Sequence, residues 1–336
     1  MKVFMIGGTG LLGSEGAREL IKRGHKVTAL SLSQVPLGAD IPKEMELKFG
    51  DFNKLSDKEI IKFIKGMDAV AFCAGIDERI VGDKPIYDMF YKYNNAPVER
   101  LLTLAKTCGV KKALILGSYF TYFERTWPEL ELYKKHPYIR SRVDQEKLAL
   151  SFADDKFQVS VLELPYIFGI QNGRKPVWVF MVEIIKKMPF AIYFCKGGTA
   201  MVTIKQVGQC IAGALEQNNG SKAYPIGFYN KSWKELYKLF AKYMGEPKPF
   251  ITIPKFMFKC FSKKQAKQAT KLGKETGLNY ELLDEIMTRN AFIEPEISKL
   301  LTASEDDINL AIKDSVELSN KILKDKTLKI VEMRKE

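Results

Sequence analysis

Residues 2–13 read Lys2-Val3-Phe4-Met5-Ile6-Gly7-Gly8-Thr9-Gly10-Leu11-Leu12-Gly13. A short run rich in β-branched and aromatic residues meets glycines at once, which predicts a buried strand ending in a tight loop. From Leu11 apolar residues recur at helical spacing as far as Lys22, and Arg23-Gly24 then supplies a basic last turn and a C-cap glycine. Between strand and helix lie two overlapping patterns, Gly8-x-Gly10-x-x-Gly13 and Gly7-x-x-Gly10-x-x-Gly13. In such a unit one glycine allows the turn, one lets the backbone approach a pyrophosphate, and one permits close packing of helix on strand. The helix start offers free N–H groups and the positive end of its dipole to the anion. Gly7, Thr9, Gly10, Leu11, Leu12 and Gly13 are therefore the expected seat of a dinucleotide.

Working outward, further strands are predicted over 25–32, 46–49, 69–73, 112–116 and 159–162, alternating with helices over 57–65, 87–108 and 138–151. Strands alternating with helices define an α/β fold, a Rossmann-type doubly wound parallel sheet with ligands at the carboxyl ends of its strands. After Gly169 the alternation loosens. Helices are expected over 176–187, 206–217 and 233–244, and short strands over 201–204 and 223–226.

The bulk properties exclude several classes. The chain has 336 residues, of which 46% are hydrophobic, enough for a sizeable core. The apolar run before the first glycines is too short for a signal peptide, and no stretch approaches the ~18 apolar residues of a membrane span. Five cysteines stand far apart without a Cys-x-x-Cys pair, which points to reduced thiols and a cytoplasmic setting rather than to disulfides or zinc. Two histidines argue against a His-rich metal site and a Ser-His-Asp hydrolase. The net charge of +13 comes with no nucleic-acid motif, and reads as solvated lysine faces. Pro254–Lys274 interleaves aromatics with lysines. It is expected to be a helix with its apolar face buried and its lysine stems snorkelling, rather than a membrane-surface helix.

An acidic residue about 20 positions beyond the glycine loop would hold the ribose of NAD. Here the second strand ends Ser31-Leu32-Ser33-Gln34, with no acid to repel a 2′-phosphate and no arginine to pair with one. The cofactor reads as NAD(P), with Ser31 and Ser33 as candidate contacts and a slight lean to NADP.

Further marks follow in order: Gly50-Asp51, Ala74-Gly75, Asn94 ahead of Leu101-Leu102, Val110-Lys111-Lys112, Ser118-Tyr119-Phe120-Thr121-Tyr122, Leu164-Pro165-Tyr166-Ile167-Phe168-Gly169 and Val202–Val207. Together with the glycine loop they resemble the extended short-chain dehydrogenase/reductase family, of NAD-dependent epimerase/dehydratase type. The resemblance implies that Asp51 and Phe52 meet the adenine end. It also places Ala74, Gly75, Asn94, Pro165 and Ile167 along the cofactor. Residues 1–168 would be the NAD(P)-binding domain, and 169–336 mostly a smaller, discontinuous substrate lobe with segments returning to it. A homodimer through the helices over 87–108 and 138–151 is implied too.

The same resemblance assigns a tyrosine acid/base, a lysine four residues on, and a Ser or Thr that bonds the substrate oxygen. Free tyrosine titrates near pH 10, so a neighbouring cation must favour its phenolate before it serves as a base near neutrality. Positions i and i+4 of a helix share a face. Tyr138 and Ser118 match, but Arg142 stands in the lysine position, and that exchange is not conservative. Tyr119-Phe120 carry no carboxylate where dehydratases do, and Gln206 and Glu163 stand where sugar-nucleotide enzymes have Asp and Arg. Tyr119, Tyr166 and Arg174 are the candidate substrate contacts, in a mouth rich in aromatic residues. Two readings remain: an oxidoreductase or epimerase acting on a carbonyl or hydroxyl group, and a dinucleotide-binding sensor without chemistry.

Overall fold

The computed structural model describes residues 1–32, 35, 38–217, 220–325, 327–328 and 330–331. Ser33 lies outside the described residues. Strands β1 (Lys2–Ile6), β2 (Lys26–Ser31), β3 (Glu46–Phe49), β4 (Ala69–Phe72), β5 (Lys112–Leu116), β6 (Gln158–Glu163) and β7 (Lys222–Pro225) form a seven-stranded sheet ordered β7-β6-β5-β4-β1-β2-β3. Every pairing in it is parallel. Strand order reverses between β1 and β4, and there the crevice outside the carboxyl ends opens for a ligand.

Alternate residues of β1 feed opposite cores. Val3 and Met5 pack with helices α1 (Leu11–Lys22) and α5 (Ile204–Glu216). Phe4 and Ile6 pack on the other face with α2 (Asp57–Ile64), α3 (Ala96–Thr107) and α4 (Pro137–Ser151). Burial on both faces is why these strands read as apolar runs rather than as an alternation. Residues 204–225 thus return from the second half to supply a helix and the last strand of the first sheet.

Gly198–Thr203 is the middle of a second, four-stranded sheet with Tyr229–Ser232 and Asn290–Ala291, and Tyr166–Phe168 also pairs with it. The lobe around it has its own core, built on Phe168, Trp178, Trp233, Phe240 and the helix Ile308–Lys324.

Two expectations are corrected. The helix expected over 87–108 is not uniform. Tyr87–Phe90 is α-helical, Tyr91–Asn95 is a π turn, and α3 follows. Pro97 has no N–H for the α-helical ladder, and the N–H of Ala96 reaches back five residues to the Tyr91 carbonyl. The bulge leaves Asn94 and Asn95 buried. Second, the basic stretch does form a helix, α6 (Lys255–Lys271), but it buries only Phe258 and Ser262. The interleaving of aromatics with lysines pointed to the helix; it did not reveal which apolar residues face the protein.

Candidate active site

The glycine loop sits at the switch point. A Cβ on Gly13 would lie 2.2 Å from the Gly7 carbonyl oxygen, so only glycine lets α1 start this close to the loop. Gly10 is the N-cap of α1, and no side chain caps that helix. Among the described residues its first N–H groups have no side-chain partner, the arrangement that receives a phosphate. At the end of β4, Gly75 has φ +132°, and a Cβ there would meet the Asn94 Oδ1 at 2.6 Å. Asn94 is fully buried and works from behind this wall: its Oδ1 accepts from the Ile76 N–H (2.8 Å) and its Nδ2 donates to the Ile76 carbonyl (3.1 Å). An uncapped helix start and an exposed glycine edge facing the crevice fit a dinucleotide.

The flanking residues are placed as follows. The Ser31 hydroxyl is buried and lies 2.6 Å from the Thr9 hydroxyl. The Asp51 carboxylate accepts from the Asn53 N–H (3.0 Å) just beyond β3. The Phe52 ring is buried under the Arg100 guanidinium, 5.4 Å away. Pro165 is buried, and the Ile167 carbonyl accepts from the Trp178 indole (2.8 Å).

Arg174 is a correction. It lies on the glycine loop rather than among the substrate-side aromatics, and its Nη2 donates to the Thr9 carbonyl (3.2 Å) while its Nε donates to the Gln171 Oε1 (2.7 Å). Gln171 in turn donates to the Thr9 carbonyl and the Ser14 hydroxyl. Val331, close to the end of the described chain, is bonded on both sides of Arg174, to Gly173 and Lys175. Sequence distance hid this placement.

Arg142 and Tyr138 are hydrogen-bonded to one another, and Ser118 stands beside them. Pro137 opens α4 at a position where its missing N–H costs nothing, and the Tyr138 N–H is anchored on the Gly277 carbonyl (2.9 Å). Arg142, one turn on, donates from Nε to the Tyr138 hydroxyl at 3.2 Å. Its Nη1 donates to Gln145 (2.9 Å) and to the Leu116 carbonyl (3.4 Å), and its Nη2 to the Ile76 carbonyl (3.2 Å). Ser118, beyond the end of β5, lies close enough to the Tyr138 hydroxyl to draw its pKa down. Burial pushes the Tyr138 phenol above its ordinary value, while the Arg142 charge and Ser118 pull it back. The net direction is upward, so Tyr138 is a neutral phenol at pH 7, ready to give a proton.

Around it stands an aromatic wall. The Tyr138 ring meets Phe90 (5.5 Å) and Phe120 (6.3 Å) edge-on. Tyr119 touches Phe123 (5.3 Å) and Tyr166 (6.2 Å), and Tyr166 continues to Trp178 (5.0 Å). Tyr119 and Tyr166 are thus brought together.

The sequence reading missed Glu78, on the loop after β4. Burial and the neighbouring Asp77 push its carboxyl up to about 7, against the pull of Arg79 and Arg142, and its charge is felt by Tyr119, Tyr138, Tyr166 and Tyr280. Glu163, noted in the sequence only as a departure, is fully buried at the end of β6 and bonded to Thr121 and to Arg125 (2.7 Å). Burial and the adjacent Glu146 raise its carboxyl to about 7. An acid occupies this position because Arg125 arrives from elsewhere to meet it.

A loop–helix anion seat on a 3-2-1-4-5-6 sheet, with a Ser–Tyr–Arg group at its carboxyl edge, defines a class, and the comparison agrees. The chain belongs to the NAD dependent epimerase/dehydratase family, which matches residues 3–226. The mouse (Mus musculus) protein named sterol-4-alpha-carboxylate 3-dehydrogenase, decarboxylating, is 25% identical over 186 residues, covering 52% of this chain and 48% of that protein. Its human (Homo sapiens) counterpart is 26% identical over 199 residues, covering 56% and 50%. The chain therefore spans about half the length of the curated relatives it matches.

Among solved structures, gox2253 superposes with a TM-score of 0.72 at 18% identity, covering 95% of this chain and 98% of that one. A UDP-glucuronic acid 4-epimerase from Bacillus cereus, in complex with UDP-glucuronic acid and NAD, gives 0.66 at 12% identity, covering 96% and 100%. At these identities the likeness is one of fold.

Proposed function

We propose that the chain is an NAD-linked oxidoreductase that interconverts a secondary alcohol and a ketone on a bulky, weakly polar substrate. The observation that carries this is the Arg142–Tyr138 hydrogen bond, with Ser118 alongside, set beside an aromatic wall. Bound NAD supplies the two-electron acceptor or donor. Ser118 holds the substrate oxygen, and Tyr138 gives it a proton in reduction or takes one in oxidation. Arg142 keeps a positive charge beside the phenol oxygen and so favours its deprotonated form in the oxidation direction. The likeness to sterol dehydrogenases, and Gln206 and Glu163 in place of the Asp and Arg of sugar-nucleotide enzymes, support an alicyclic alcohol over a sugar nucleotide. NAD is preferred to NADP because the Ser31 hydroxyl is already engaged with Thr9 and the family is NAD dependent.

The test is incubation with NAD and a panel of sterol-like alicyclic alcohols, with UDP-glucose and UDP-glucuronic acid alongside. NADH formation with the alcohols is the expected result. Epimerised UDP-sugar without net NADH would replace this reading by epimerisation. Tight NAD binding with no product from any substrate would replace it by a binding protein without chemistry.

Arg174 is assigned here to the cofactor phosphates. It has no carboxylate within 4 Å among the described residues, and it bonds the Thr9 carbonyl, one residue before Gly10 at the uncapped start of α1. A charge-assisted hydrogen bond is worth ~1.5–3 kcal/mol. Arg174→Gln is therefore expected to weaken NAD binding about tenfold or more in calorimetric titration, and an unchanged Kd would remove Arg174 from the cofactor site.

A further inference from the structure

We infer that the outward face of α6 docks the protein peripherally on an anionic lipid bilayer. The helix carries six lysines and no acidic residue, and the chain has no Asp or Glu between Glu246 and Glu275. Its inward side is settled: Phe258 packs on Phe194 (5.1 Å), and Lys255 and Lys259 reach the buried Asp284 at 3.6 and 3.8 Å. Opposite this side, residues 256, 257, 260, 261, 264, 267 and 271 follow the i, i+3, i+4 spacing of a single stripe. The stripe is apolar over its first two turns and cationic beyond them. Phe256 is 68% exposed and Phe261 57% exposed, with Met257 and Cys260 exposed between them.

Lys263, Lys264, Lys267 and Lys271 have no carboxylate within 4 Å among the described residues. Ile192–Phe194 pairs with Phe250–Thr252, and the partnered residues Tyr193 and Ile251 are both exposed.

Aromatic side chains left in water beside unpaired lysines suit a surface that is apolar within and anionic at its rim, which a bilayer with acidic headgroups provides. A second copy suits it less, because a symmetric contact would set these lysines against themselves. No described helix is long and apolar enough to cross a membrane, so attachment through α6 would lie in the interface plane. The assignment does not depend on the reaction proposed above.

The experiment is flotation of the full chain with phosphatidylcholine vesicles, alone or with 30% phosphatidylglycerol, in 0.1 M NaCl. The protein is expected to float with the anionic vesicles and to lose at least about tenfold of that binding in 0.5 M NaCl. Lys264→Glu/Lys267→Glu is expected to cost tenfold or more, at about fivefold per lysine removed near an acidic surface. Phe256→Ser/Phe261→Ser is expected to do the same while leaving thermal stability and NAD binding unchanged, since both rings are already in water. Absence of flotation, or flotation indifferent to both double variants, overturns the proposal. So does a dimer of the free protein that Phe256→Ser/Phe261→Ser converts to monomer, which would give the face to a second copy.

Discussion

Tyr138→Phe is expected to lower kcat by about a thousandfold while leaving the Kd for NAD within about threefold of the parent. General acid–base catalysis contributes ~10²–10⁴ in rate, and Tyr138 carries the phenol that Arg142 hydrogen-bonds beside Ser118. The substitution removes one oxygen and keeps the ring that Phe90 and Phe120 pack against at 5.5 and 6.3 Å, so the fold persists. It does leave the Arg142 Nε–H without its acceptor in a buried setting, which costs ~1–3 kcal/mol of stability. Thermal denaturation measures that cost separately from turnover. Retained turnover would show that the proton travels by another route, and Glu78 is the next titratable group to examine. Its carboxyl is raised to about 7 and its charge reaches Tyr138. A Glu78→Gln variant would then change the pH profile, whereas with Tyr138 as the donor it perturbs the rate without abolishing it.

What the sequence made legible is what local pattern encodes. Gly7–Gly13 needs only its immediate neighbours to be a strand–loop–helix unit, and the alternation that follows specifies a parallel sheet through handedness and connection rules. Ser118, Tyr138 and Arg142 were singled out by the family resemblance, and helical spacing then put Tyr138 and Arg142 on one face. Longer-range facts were not legible. Arg174 is 165 residues from the Thr9 carbonyl it bonds, and nothing in its flanking residues announces the contact. Glu78 lies on a loop without periodicity, and its surroundings come from Tyr119, Tyr166 and Tyr280, which the fold gathers from three segments. The π turn at Tyr91–Asn95 did have a visible cause in Pro97, whose missing N–H interrupts any regular helix there. The α6 face failed for a different reason: amphipathic spacing fixes which residues share a side, and only the tertiary structure fixes which side meets the protein.

Arg142 separates charge from geometry. Arg142→Met keeps a long side chain but removes the cation, and is expected to lower kcat by about a hundredfold or more. The reason is electrostatic. Burial already holds the Tyr138 phenol above its ordinary range, and the Arg142 charge is the main influence opposing that shift. Without it the phenol rises further, so the rise of alcohol oxidation with pH moves to higher pH. The reduction direction, which needs the neutral phenol, loses less.

Arg142→Lys restores a point charge on a shorter stem that cannot meet Tyr138, Gln145, Leu116 and Ile76 together. It is expected to recover part of the lost rate, to about tenfold below the parent, and to return the pH dependence of oxidation towards its original position. Both variants leave buried acceptors at Gln145 and Leu116 short of a donor, so both lose stability, by ~1–3 kcal/mol. That shared loss is the control. If lysine and methionine variants fell equally in rate with the pH profile unmoved, Arg142 would act only by holding α4 against the Ile76 loop. If instead the methionine variant turned over like the parent, neither the charge nor the positioning would matter, and the Ser118–Tyr138–Arg142 assignment would fall with it.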